Sequence, residues 1–226
     1  MRLQLLRFGT EVTFTKERVQ TLEIFDRSLF ARVVASLISE EGENAVEPYE
    51  LWSETGKRLA PKKRLLLLNN LPRIPFDNKT LLSKLYGVIT SGLETEGRLE
   101  MVDSAGRDLL LSVADSTNGL WGRYDFGIDW SAATLLKAFS FAPDCSSANS
   151  LLENCIAFFG FCIDVKLEMP LVLVNAKSFF APEELDALIE QAVFCGVEVL
   201  LLESWHDSDS HLNEEKTVLD QQFIEA

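Results

Sequence analysis

The sequence predicts an α/β fold, with a parallel-sheet head and a helical segment inserted between its two halves. Three observations predict it. The apolar runs at 65–68 and 171–174, and that at 197–202 with Glu198 as its one polar residue, have the composition of strands buried on both faces, as parallel strands are. Residues 171–202 form a strand–helix–strand unit of the length a right-handed parallel crossover needs. Residues 94–164 carry helical patterning without strand alternation, so sheet elements at both ends bracket them. The head is therefore expected over 1–93 and 165–226, and the helical part over 94–164.

Residues 3–8 and 19–25 read as strands. Asp26 is a good N-cap for the next helix, whose Leu29, Phe30, Val33, Val34, Leu37 and Ile38 recur at helical spacing, and Gly42 closes it. Residues 45–52 read as a short strand running to a turn at Gly56. After the leucine run, Pro72 and Pro75 break the chain. Asp77 or Asn78 then caps a helix carrying Leu81, Leu82, Leu85, Val88 and Ile89, with Gly92 as its stop. Helices are expected over 104–114, 131–141 and 147–161. Pro182 opens a further helix, and Glu183, Glu184 and Asp186 place carboxylates at its positive dipole end. Gly196 ends it. The polar tail after Glu203 has room for one edge strand near Phe223.

At 226 residues and 47% hydrophobic, the chain can bury one or two cores. No stretch reaches the roughly 18 apolar residues of a membrane span, so no membrane association is expected. Gln4 and Arg7 interrupt the N-terminal apolar stretch, and no small-residue cleavage site follows, so a signal peptide is not expected and the expected location is cytoplasmic. Cys145, Cys155, Cys162 and Cys195 include no Cys-x-x-Cys pair and read as small buried hydrophobes. The net charge of −14 is distributed unevenly. Residues 1–113 hold 16 basic and 16 acidic side chains, whereas residues 114–226 hold 5 and 19. Such a chain can present a local basic surface while remaining acidic overall.

No Gly-x-x-x-x-Gly-Lys-Ser/Thr loop occurs, and Asn69-Asn70-Leu71-Pro72, where one would follow the leucine strand, has no glycine. No nucleotide is therefore expected. No Gly-x-Ser-x-Gly or acyl-transfer triad is present either, and the chain is read as a binding protein rather than an enzyme. One alternative is a metal-dependent nuclease, because Pro143-Asp144 followed by Asp164-Val165-Lys166 fits a loose two-carboxylate-and-lysine pattern. His206-Asp207-x-Asp209-x-His211 reads as a metal-binding run or a solvated tail. The strongest charge feature is Lys57, Arg58, Lys62, Lys63 and Arg64, which Arg73, Lys79 and Lys84 could extend. These charges either guard an aggregation-prone leucine run or contact phosphates.

Three stretches carry a resemblance to a known family. The first runs from Phe30 through Gly42-Glu43-Asn44 to Leu68. The second is Thr80-Leu81-Leu82-Ser83-Lys84-Leu85-Tyr86-Gly87. The third runs from Leu171 to Glu203, with Val172-Leu173-Val174-Asn175 before a Glu-Glu-Leu helix. In this order they resemble the small ring-forming CRISPR-associated protein of type II-A systems that serves spacer acquisition. The resemblance implies a nucleotide-binding-like head without a working phosphate loop, plus a helical leg. It implies a homotetrameric ring around double-stranded DNA, loaded from the ends and without sequence specificity. The implied partners are the CRISPR integrase proteins and the RNA-guided effector nuclease. It also implies calcium held by an acidic cluster, for which only Asp125 and Asp129 remain here. Two carboxylates are a depleted set for an ion taking about six to eight oxygens. The rival reading is a protein-interaction scaffold that does not bind DNA.

Overall fold

The computed structural model describes residues 1–144, 150–209 and 211–219. It divides into two compact units, Met1–Pro75 with Cys145–Ala226, and Phe76–Asp144. The inserted unit thus runs over 76–144, where the sequence suggested 94–164. Both boundaries move for a packing reason. Helix Lys79–Thr95 packs with the helices that follow it, whereas helix Leu151–Asp164 packs against helix Pro182–Phe194 of the head. In helix Leu151–Asp164, Cys155, Phe158, Phe159, Phe161 and Cys162 are all buried.

Among the described residues the strands are β1 (Arg2–Leu5), β2 (Thr10–Thr13), β3 (Val19–Ile24), β4 (Tyr49–Trp52), β5 (Arg58–Leu59), β6 (Leu66–Leu68), β7 (Leu171–Val174), β8 (Val199–Glu203) and β9 (Glu214–Leu219). The helices are α1 (Arg27–Ser39), α2 (Lys79–Thr95), α3 (Leu99–Asp115), α4 (Ala132–Ala138), α5 (Leu151–Asp164) and α6 (Pro182–Phe194). The expected edge strand near Phe223 lies outside the described residues, as do Cys145 and the first residues expected in the 147–161 helix. The tail instead forms β9 before that point.

The head holds two sheets. One is antiparallel, in the order β2-β1-β4-β5; the other is parallel, in the order β6-β7-β8-β3-β9. The parallel sheet follows from the apolar runs, which bury every residue of β7 and β8. The leucine run is different: β6 is an edge strand with Leu66 and Leu67 only half-buried. An all-leucine run reveals hydrophobicity but not how many neighbours the strand has.

Side chains alternate across β3. Leu22 and Ile24 join Leu200 and Leu202 of β8, α1 residues Leu29, Val33 and Leu37, and the antiparallel sheet in one core. Thr21 and Glu23 point to the opposite face, level with Leu201 and Glu203 of β8. That face is apolar over β7 and most of β8, and polar over β3, much of β9 and the last residue of β8, Glu203.

In the second unit, few residues are fully buried: Leu81, Gly106 and Ala132 among its helical positions. Gly106 is required by Trp130, because an added Cβ would lie 1.8 Å from the indole Cε2. The same indole donates from Nε1 to Asp103 Oδ1 at 3.2 Å. Gly106→Ala is expected to destabilise this unit by about 1–3 kcal/mol through overpacking. Urea unfolding followed by tryptophan fluorescence measures it, and a loss under about 0.5 kcal/mol would contradict it.

Candidate functional site

In an open α/β sheet, ligands bind beyond the carboxyl ends of the strands, where the strand order reverses. Here the first parallel strand, β3, lies between the two last, β8 and β9. The phosphate position is therefore the β3–α1 connection, not the segment after Leu68. That connection is only Phe25-Asp26, with no glycine. Asp26 turns its carboxylate onto the helix, accepting from the Leu29 N–H at 2.6 Å. A carboxylate in this place satisfies an N–H that would otherwise face phosphate.

Beside it, an ion-pair network covers the β3–β9 face of the sheet. Lys177 is buried, and its Nζ lies 2.7 Å from Glu214, 3.0 Å from Asp207 and 3.5 Å from Glu23. Lys216 stands 3.6 Å from both Glu214 and Asp207. Both histidines of the chain are here. His206 Nδ1 is 2.7 Å from Glu23, and His211 Nδ1 is 2.8 Å from Asp186. Within the run from His206 to His211, Asp207 and His211 are therefore buried and not solvated. Asp207 and His211 are buried ends of an ion-pair network that straps the C-terminal segment to the sheet.

Burial works against the Lys177 ammonium, but the Glu214 and Asp207 carboxylates outweigh it and hold its pKa above the ordinary lysine value. Burial also opposes ionised Asp207, yet the Asp209 N–H and Lys177 bring it down to about 2. Burial pushes Glu203 up to about 7; its Oε1 accepts from the Lys177 N–H at 3.1 Å. The thiols of Cys155 and Cys162 are pushed up to about 12 by burial, which leaves them protonated and unreactive.

The basic residues divide into distinct groups. Arg58 of β5 is an internal strut, with Nη2 2.5 Å from Glu43 and Nε 3.2 Å from Glu50. The Glu43 hydrogen bond raises its pKa, and Arg58 lowers that of Glu43 in return. With two carboxylates on one guanidinium, Arg58 offers no net positive charge to a phosphate. Lys62, Lys63 and Arg64 are all exposed on one turn between β5 and β6. Lys57 is exposed before β5, and Arg73 is exposed after β6. Among the described residues none of these five forms a salt bridge. Lys79 and Lys84, also exposed, belong to α2 in the other unit.

Asp125 and Asp129 sit in the exposed 120–130 segment, and Asp125 Oδ1 already accepts from the Phe126 N–H at 2.8 Å. Among the described residues no group of three or more His, Cys, Asp or Glu side chains could hold a metal ion. The two aspartates therefore do not fit calcium by themselves. The nuclease alternative fares no better. Asp164 is the last residue of α5 and Lys166 lies in the following turn at φ 49°, so neither is carried on a strand. Asp144 lies in the other unit. Among the described residues no helix is long and apolar enough to cross a membrane.

The fold and this site define an α/β head with a five-stranded parallel sheet, a helical insertion, a buried ion-pair network on the sheet and an exposed basic turn. Residues 44–223 match the family model for the CRISPR-associated protein Cas_Csn2, and the chain belongs to that family. It is also similar in structure to Stu0660 of Streptococcus thermophilus, at a TM-score of 0.62 and 12% identity, covering 97% of this chain and 74% of that one. At that identity the likeness is one of fold. None of the curated proteins matches the chain. Family membership gives the protein a CRISPR-associated role.

Proposed function

We propose that this protein is a homotetrameric ring that binds double-stranded DNA ends without sequence specificity during CRISPR spacer acquisition, and that it is not an enzyme. The observation that carries the reading is the turn Lys62-Lys63-Arg64, exposed and with no salt bridge from its three side chains among the described residues. Contacts from such a turn go to phosphates, which position a protein on a duplex without reading its sequence. In a ring, four copies of a modest basic cluster converge, which concentrates positive charge locally even though each chain carries a net −14. Exposed Trp121, Ile128 and Phe139 in the second unit supply apolar surface for contacts between copies. The working location is the cytoplasm, alongside the CRISPR integrase proteins and the RNA-guided effector nuclease.

The test is binding to linear duplex over a salt series. Replacing Lys62, Lys63 and Arg64 together by Ala is expected to cost at least tenfold in affinity. It should flatten the slope of log K against log salt by about 2–3 per DNA-bound protomer, at roughly 0.9 for each phosphate that is no longer neutralised. A slope equal to wild type would sink this assignment. Linear DNA should bind far better than closed circular DNA, and equal binding would remove end loading. Cleavage of linear DNA with magnesium, abolished by Asp164→Ala, would favour the nuclease instead. Absence of binding at low salt would favour a scaffold.

A further inference from the structure

We propose that Glu40 is the positioning residue of the basic turn; the proposal rests on the DNA-binding reading above. Glu40 follows the last residue of α1 in the left-handed region, at φ 54°. Its Oε1 accepts from the backbone N–H of Lys63 at 2.8 Å. Lys63 is itself left-handed at φ 57°, a conformation that L side chains adopt uncommonly and at some cost. The carboxylate thus holds the backbone of Lys63, and the ammonium has no salt-bridge partner among the described residues.

Two further contacts come from the same short stretch. Gly42, at φ 61°, lets Pro61 approach so closely that an added Cβ would lie 3.0 Å from the proline Cγ. Glu43 holds Arg58. Residues 40–43 therefore grip the basic segment at 58, 61 and 63. Three adjacent like charges repel one another and favour a splayed, mobile turn. A fixed backbone presents them together, so less ordering entropy is lost when DNA binds.

The inference is opposed by simple electrostatics, which makes it testable. A carboxylate beside a basic turn weakens DNA binding through its charge, so removing it should strengthen binding. Glu40→Gln and Glu40→Gly remove the same charge, but only Gln keeps an acceptor for the Lys63 N–H. Glycine occupies the left-handed cap without strain, so Glu40→Gly should melt at or above the wild-type Tm.

The experiment compares wild type and both variants for linear duplex binding at about 0.15 M salt, the physiological screening regime, with Tm measured alongside. Glu40→Gln is expected to bind at least as tightly as wild type. Glu40→Gly should bind about three- to tenfold more weakly than Glu40→Gln. Its salt slope should be shallower by up to roughly 0.9 per protomer. Equal binding by the two variants overturns the proposal while leaving DNA binding intact. A clear fall in Tm for Glu40→Gly would make the tether structural and also overturn it. Failure of wild type to bind at low salt would remove the DNA reading and this proposal together.

Discussion

Lys177→Met is expected to destabilise the head by about 3–5 kcal/mol, the cost of breaking a buried ion pair from one side. The Lys177 side chain is 1% exposed, and Glu23 and Glu214 beside it are 0% and 1% exposed. Methionine fills the volume but leaves Glu23, Asp207 and Glu214 with Lys216 as their remaining lysine, at 3.6–3.9 Å, and with weaker partners in the histidines and Thr21. Three buried carboxylates sharing one partly exposed cation cost more than weakened packing, because burial denies them the solvation that water would give. The result should appear as a lower urea midpoint with an unchanged m-value. Adding Glu214→Gln to Lys177→Met should recover part of the loss, since it removes one orphaned charge. A single-variant loss under about 1 kcal/mol would show that water enters the network.

Lys177 also marks where sequence reading stops. The helices α1 and α6 and the strands β7 and β8 are legible because their apolar residues repeat at the right period and caps stand at the helix ends. Asp26 caps α1 as expected, and Pro182 opens α6. The antiparallel sheet is only half legible. β5 is two residues long, and Thr10-Glu11-Val12-Thr13 hides a clean buried–exposed alternation behind polar residues. The leucine run is visible, but its edge position depends on which strands pair, and that is settled far away in sequence. The ion-pair network is invisible for the same reason. Its members Glu23, Lys177, Asp207 and Glu214 come from separate elements, so His206 and Asp207 look like tail residues.

The basic turn is legible by charge alone, since Lys62, Lys63 and Arg64 are adjacent in sequence and exposed in structure. The carboxylate partners of Arg58 are not legible in sequence, because they are set by pairing in the antiparallel sheet. Arg58 stands opposite Trp52 in the β4–β5 register, which brings the guanidinium to Glu50. The boundary of the inserted unit is misplaced for another reason. Amphipathic patterning finds a helix but not the body it packs against, and α2 and α5 lie on the unexpected sides of the two boundaries.

Glu203→Gln should stabilise the head by about 3 kcal/mol at pH 8 and by little at pH 4, which would abolish a pH dependence present in wild type. Glu203 is fully buried and level with Glu23 on the neighbouring strand, so ionising it places two carboxylates side by side away from water. Burial pushes its pKa from 4.5 up to about 7. In the pH range between those values the folded protein keeps a proton that the unfolded chain has released. The unfolded state then binds fewer protons, so stability falls as pH rises from about 4.5 to about 7 and levels off above. The total follows from roughly 2.5 pH units at 1.36 kcal/mol each. Glutamine keeps the Oε1 that accepts from Lys177 and carries its own N–H in place of the proton. Asp207 imposes the opposite slope at the acid end. Its pKa is lowered to about 2, so the stability it contributes is lost as pH falls through the range from 3.8 to about 2. The two effects separate on the pH axis, and urea midpoints for wild type and Glu203→Gln between pH 4 and pH 8 distinguish them. Parallel curves for the two proteins would mean that Glu203 is ionised at neutral pH and that its neighbours, Lys177 foremost, compensate its charge in full.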